Sequence, residues 1–232
     1  MGPDFGTFEL SEIDGANGFR LVGDGADGGV GASVSFLGDF NEDGLDDIVV
    51  GSWPLPITGL VNFVFDPNAY VVFGSEAPLD PQLDVAALDG TNGFSITGSV
   101  RGELSQYTFA GGGDVNGDGI PDLLLGLQGG GASGLGANEI IFGGARDFFA
   151  SNRGSTLSDV FMSTMTALGN SLSVSIAADI NGDGIDDVLI GIPTMGPPSV
   201  GPEAGQAYVI YGTTEEVTQF PSSPAFPDES QG

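Results

Sequence analysis

Apolar residues run through this chain in short bursts set between Gly, Asn, Asp and Pro. Three bursts are apolar at every position: Ile48-Val49-Val50, Leu123-Leu124-Leu125 and Val188-Leu189-Ile190. Continuous apolar character over so few residues implies strands buried on both faces. Each is preceded by a stretch in which small residues alternate with apolar ones, over residues 30–36, 107–111 and 172–177. Each is followed by a third run: Tyr70-Val71-Val72-Phe73-Gly74, Glu139-Ile140-Ile141-Phe142-Gly143 and Tyr208-Val209-Ile210-Tyr211-Gly212. A fourth strand at residues 94–97 ends the first unit. The pattern predicts four antiparallel strands per period with tight Asn-Gly and Asp-Gly turns. No segment has helical periodicity; the nearest candidate, residues 145–158, reads as an irregular connection between strands.

Between the first and second strand of every unit lies the same nine-residue phrase, Asp-x-Asn-x-Asp-Gly-x-x-Asp, at residues 39–47, 114–122 and 179–187. The spacings are 75 and 65 residues. A second phrase, Asp14-Gly15-Ala16-Asn17-Gly18-Phe19, returns as Asp89-Gly90-Thr91-Asn92-Gly93-Phe94, also 75 residues on. Self-similarity at such a period means an array of supersecondary units, each too small to bury its faces alone. Four-stranded antiparallel units of this kind describe β-propeller blades.

The phrase also carries chemistry. Three carboxylates and one amide at alternate positions put oxygens around a common centre, and the glycine allows the sharp turn that gathers them. Such a set suits a hard divalent cation. Calcium is favoured over magnesium, which keeps most of its waters. A single Asp-Gly would be read as a turn chosen for its geometry; three matching copies argue for more. An EF-hand would need a bidentate Glu at the twelfth place, where Val50, Leu125 and Ile190 stand.

Composition narrows the field. The 232 residues include 32 Asp and Glu against four Arg and no Lys, a net charge of −28. Such a surface excludes polyanion recognition, so no nucleic-acid partner is expected. Three Ca²⁺ would offset six of those charges and leave about −22. Cys and His are both absent, which removes disulfides, zinc-thiolate sites and thiol nucleophiles. The 41 glycines beside 40% apolar residues suit short strands and tight turns better than disorder. The first residues show no signal peptide, and no apolar run reaches membrane-spanning length. Open, solvated calcium loops fit the millimolar calcium outside cells, so an extracellular or cell-surface address is expected.

The residues that flank the acidic loops resemble the FG-GAP repeat of integrin α-subunit propellers and their bacterial relatives. In the first copy the likeness runs through Gly31-Ala32-Ser33-Val34-Ser35, Gly38-Asp39-Phe40-Asn41, Val50-Gly51 and Tyr70-Val71-Val72-Phe73-Gly74. The third runs through Ala178-Asp179-Ile180-Asn181-Gly182-Asp183-Gly184, Gly191-Ile192-Pro193 and Ala207-Tyr208-Val209-Ile210-Tyr211-Gly212. In the second, Ser105-Gln106-Tyr107-Thr108 replaces the small-residue strand and Gly126-Leu127-Gln128 lacks the proline.

The resemblance implies an all-β propeller in which loop positions one, three, five and nine bind calcium by side chain and seven by its carbonyl. The implied ligands are Asp39, Asn41, Asp43, Leu45 and Asp47; Asp114, Asn116, Asp118, Ile120 and Asp122; Asp179, Asn181, Asp183, Ile185 and Asp187. The eighth residues Asp46 and Asp186 read as solvent-facing charge, with Pro121 in the second copy. Ligands of the family meet the opposite face, here the loops at residues 52–69, 128–138 and 192–206. The first of these holds Trp53, Phe63 and Phe65, as a contact surface or tucked between blades.

The chain divides as one domain: a spare outer strand at 17–23, blades at 30–98, 104–166 and 169–212, and a tail at 213–232. Three blades are fewer than the about four to eight of a closed propeller. The last blade lacks a fourth strand while the N-terminal phrase has one spare, so exchange with a second copy is expected, giving a six-bladed ring or a filament. The alternatives are a fragment of a longer propeller, or a degenerate last strand at 217–220.

The expected function is a calcium-binding, non-enzymatic module for extracellular adhesion or self-assembly, with a protein or glycan ligand on the face opposite the acidic loops. The rival is a polysaccharide-acting enzyme using a carboxylate pair, or a carbohydrate-binding module. An enzyme would have to work without His, Cys or Lys, and the recognisable acidic clusters are already engaged as ligands.

Overall fold

The computed structural model describes residues 9–23, 29–53, 68–97, 106–128, 137–144, 162–166, 173–193 and 205–214. Apart from two three-residue 3₁₀ turns, Leu10–Glu12 and Val85–Ala87, the regular structure among these residues is entirely β. Its strands are β1 (Arg20–Val22), β2 (Gly29–Gly38), β3 (Asp47–Trp53), β4 (Asn68–Val72), β5 (Gln82–Asp84), β6 (Gly93–Thr97), β7 (Gln106–Gly113), β8 (Asp122–Gln128), β9 (Ala137–Ile141), β10 (Met162–Thr166), β11 (Ser173–Ala177), β12 (Asp187–Ile192) and β13 (Gln206–Ile210).

These strands form two four-stranded antiparallel sheets, β2-β3-β4-β6 and β7-β8-β9-β10, and a third of β11-β12-β13. Each is one blade, and the first strands of successive blades lie together, β2 against β7 and β7 against β11. The unbroken apolar second strands have a simple cause. Alternate residues of a strand face opposite ways, and the middle blade is covered on both sides. Val49 and Val71 of the first blade join Phe109, Leu123, Leu125 and Ile141 of the second in one core. Leu124 and Ile140 join Val188, Ile190 and Ile192 of the third in another.

Glycines let the blades close up: a Cβ on Gly51 would stand 2.3 Å from the Phe109 ring, and one on Gly126 2.6 Å from Val174. This is why small residues alternate with large ones near the joints.

Two observations differ from the sequence reading. The third strands end at Val72, Ile141 and Ile210, two residues before the glycines that close the apolar runs. The amide of Gly74 leaves the ladder because it donates to the Asp47 carboxylate, and Gly143 and Gly212 do the same to Asp122 and Asp187. The strand within residues 17–23 is not wholly spare. β1 pairs in parallel with β5, Leu21 opposite Leu83, with Arg20 N–H donating to the Pro81 carbonyl at 3.1 Å. One edge of β1 is therefore used inside its own chain. The pairing escaped the sequence because Gln82-Leu83-Asp84 holds one apolar residue in three.

The two copies of the Asp-Gly-x-Asn-Gly phrase fold alike. Asp14 and Asp89 each accept the amide two residues on at 3.0 Å. Asn17 and Asn92 donate back to the carbonyls of Glu12 and Ala87, at the ends of the 3₁₀ turns. The expectations for the apolar loop between β3 and β4, for residues 145–158, for a strand at 217–220 and for the first residues lie outside the described residues, as do the greater parts of the two corresponding crossings, β8–β9 at 129–136 and β12–β13 at 194–204.

Candidate functional site

The three acidic loops close in the same way. In the first, Asp39 accepts the amides of Asp43 and Gly44 at 2.8 and 2.9 Å, Asn41 accepts that of Asp43 at 2.9 Å, and Asp43 accepts that of Leu45 at 3.0 Å. The second repeats this through Asp114 to Gly119, Asn116 to Asp118 and Asp118 to Ile120, at 2.7, 3.0 and 2.8 Å. The third does so through Asp179, Asn181 and Asp183, at 2.8, 2.9 and 3.0 Å. Local side-chain acceptors suit Asp and Asn to such turns. The sixth-position glycines are left-handed, with φ of 89°, 89° and 92° at Gly44, Gly119 and Gly184. The fourth position is left-handed too: glycine at 117 and 182, but Glu42 at φ 58° in the first loop. A non-glycine residue there carries strain on the order of 1 kcal/mol.

The ninth residues behave differently. Asp47, Asp122 and Asp187 are fully buried, and both oxygens of each are engaged. Asp47 accepts Phe40 N–H at 3.1 Å and Gly74 N–H at 2.8 Å; Asp122 accepts those of Val115 and Gly143; Asp187 accepts those of Ile180 and Gly212. Each thus ties its loop to the end of the third strand. Burial pushes Asp47 up to about 6, against the pull of the Gly74 amide and with the Asp43 charge adding to the rise. Burial likewise pushes Asp122 up to about 7, opposed by the Val115 and Gly143 amides. The Gly184 amide, with those of Gly182 and Asp183, holds Asp179 below the usual carboxylate range.

The donor chemistry fits a hard cation: each loop offers three carboxylates, one amide oxygen and a backbone carbonyl. Leu45, Ile120 and Ile185 stand at the seventh place, where the carbonyl is the donor. The loops bring the first, third and fifth side chains onto one turn. Among the described residues, no three acidic side chains stand as a cluster able to hold a metal; the first and fifth carboxylates face amides of their own loop, and the ninth is shared between its loop and the end of the third strand. Cation binding therefore requires these side chains to shift.

The eighth position was misread in one copy. Asp186 is half-buried and reaches the neighbouring blade: it accepts Asp114 N–H at 3.0 Å, while its own amide donates to the Asp114 carbonyl at 2.9 Å. Asp46 stays exposed, and Pro121 packs against Gly38. A second contact recurs beside it. Gly144 N–H donates to the Phe40 carbonyl at 2.8 Å and Thr213 N–H to the Val115 carbonyl at 3.0 Å, so the second residue of the first and second loops seats in the following blade. At the same place on the first blade is a cleft of about 400 Å³, lined by Asp46, Ile48, Val72, Gly74, Ser75 and Phe19 among others.

Sequence reasoning also passed over Asn138 and Glu139, which stand where the other copies have Ala69 and Tyr70, or Ala207 and Tyr208. The Asn138 side chain is buried with neither polar atom hydrogen-bonded, and burial raises Glu139. A polar pair inside an otherwise apolar third strand was the available signal.

Antiparallel four-stranded blades packed face to face, with an acidic turn between the first and second strands of each, define an all-β protein of the β-propeller class. Residues 172–210 match the FG-GAP repeat model. The chain is 30% identical to human phosphatidylinositol-glycan-specific phospholipase D over 179 residues, 75% of this chain and 19% of that protein. The bovine protein of the same name gives the same figures. Human integrin alpha-8 is 27% identical over 161 residues, 67% of this chain and 14% of the integrin. The chain thus spans about a fifth or less of the length of these relatives. The third blade thus carries an FG-GAP repeat, and the chain is similar to proteins built from that propeller repeat.

Proposed function

We propose that this chain is a calcium-binding, non-enzymatic propeller module that works outside the cell in adhesion or assembly. The observation that carries this reading is the threefold recurrence of one loop geometry, the same donors at the same positions closed by the same hydrogen bonds. A bound cation at each corner would cross-link the loop and neutralise carboxylates that otherwise repel across it. The proposed ligands are those named above, from Asp39, Asn41, Asp43, Leu45 and Asp47 to their counterparts in the other two loops. Likeness to an integrin α chain supports adhesion, and millimolar extracellular calcium supports the address. Among the described residues no helix is long and apolar enough to cross a membrane.

The test is calorimetric titration of chelator-treated, dialysed protein with calcium. Three sites per chain are expected, falling to two in the Asp118→Ala variant. Absence of binding, or a stoichiometry that the variant leaves unchanged, would overturn the reading.

The phospholipase name of the first relatives favours a second reading, a blade module that serves a catalytic unit. Turnover of a glycosylphosphatidylinositol substrate by this chain alone would support an enzyme instead; lack of turnover keeps the first reading.

A further inference from the structure

We infer that the joint between the second and third blades holds a bound water molecule, seated on the buried carboxamide of Asn138. The site is separate from the acidic loops. Asn138 stands second in β9, whose far end is the one that Gly143 ties to the loop carboxylate of Asp122.

The other two blades have Ala69 and Ala207 at this place, and Ala69 is 2% exposed within an apolar core. Asn138 is 0% exposed, and neither its Oδ1 nor its Nδ2 has a hydrogen-bonding partner in the protein. A carboxamide left so forfeits the hydrogen bonds it makes to solvent in the unfolded chain, and the large majority of buried polar side chains are paired with protein or with ordered water. The strand register shows which joint it enters. Asn138 lies opposite Gly126 in the ladder, as Ile140 lies opposite Leu124 two residues along, and alternate residues of a strand share a face. Leu124 and Ile140 belong to the core shared with the third blade, so Asn138 points into that same joint.

Neutral polar groups stand at this level of the joint. Thr108 lies opposite Gly126 from the other side, and its hydroxyl is 2.7 Å from where a Gly126 Cβ would be. That hydroxyl reaches the Gly126 carbonyl only at 3.5 Å, too long for a good O–H···O bond, so it has capacity for a better partner. From the third blade, Tyr208 packs against the same core and its hydroxyl donates to Gln206. These groups define the guest. The Asn138 carboxamide asks for an acceptor at Nδ2 and a donor at Oδ1; water supplies both from one atom, whereas a metal cation or a carboxylate supplies one. Size excludes anything larger, because a Cβ on Gly126 would already stand 2.6 Å from Val174 of the third blade, which leaves no room for a sugar or a peptide group. A water needs a few polar partners and little volume. The first joint offers Ala69 in the same place and is expected to be dry there.

The experiment compares wild type with Asn138→Leu, which keeps nearly the same side-chain shape without polar atoms, by magnetic relaxation dispersion of the water oxygen. Circular dichroism confirms that the variant folds. The variant is expected to hold one long-lived internal water fewer than wild type; equal numbers in the two proteins would overturn the inference. A crystal structure of wild type reads the same site without any substitution. Density for a single water within hydrogen-bond distance of both Oδ1 and Nδ2 of Asn138 is expected, and a dry site, or one filled by a protein group or a larger molecule, would overturn it. Both readings are independent of calcium titration, so a dry joint leaves the proposed function standing.

Discussion

The ninth residue of each loop is where sequence, packing and ionisation meet. Replacing Asp122 by Ala leaves the Val115 and Gly143 amides without their acceptor in a buried place, and each orphaned donor costs roughly 1–3 kcal/mol. Denaturant unfolding in excess chelator, where no metal term enters, should show a loss of about 2–5 kcal/mol. A change below about 1 kcal/mol would mean the staple is dispensable. Because burial raises Asp47 to about 6 and Asp122 to about 7 from the ordinary 3.8, the folded chain holds those protons more tightly than the unfolded chain. Their stabilising contribution is fully present below about 4 and is lost as pH rises through 6 to 7. Chelated protein should therefore melt at a higher temperature at pH 5 than at pH 8. Calcium, which must displace those protons, should bind more weakly as pH falls; melting curves and titrations at the two pH values check both signs. In the first loop, Glu42→Gly removes a left-handed side chain and should raise stability by up to about 1 kcal/mol.

At the scale of strands, the apolar run, the acidic turn and the second apolar run were legible because the pattern repeats in three copies and the middle blade buries both faces of its second strand. The reading fixed the loop residues to the position and placed the first and third strands of each blade to within two residues, the second to within three. Its limits have physical causes. The closing glycines of the third runs look like strand residues, yet their amides belong to a carboxylate. Gly143 and Gly212 are also packed so that an added Cβ would stand 2.3 Å from the backbone oxygens of Pro121 and Asp186. Gly212→Ala should destabilise by about 1–3 kcal/mol through overpacking, measured by denaturant midpoint, whereas a neutral result would show the close approach is relaxed at little cost. β1 and β5 were not paired from sequence because a three-residue parallel contact leaves almost no periodic trace. Asp186 was read as solvent-facing because nothing local to one loop reveals the neighbouring blade.

For the whole molecule, a net charge of −28 on 232 residues means self-repulsion opposes compaction, and the acidic loops concentrate it at the blade corners. The account holds that calcium relieves this at three points and fastens each first strand to its second. Binding that favours the native state stabilises it by RT ln(1 + [L]/Kd), about 2.7 kcal/mol per site at a hundredfold excess over Kd. Thermal unfolding of the full chain at neutral pH, in millimolar calcium and again in excess chelator, tests this most directly. The account predicts a melting temperature markedly lower in chelator and restored when calcium is returned; superimposable curves in the two conditions would contradict it.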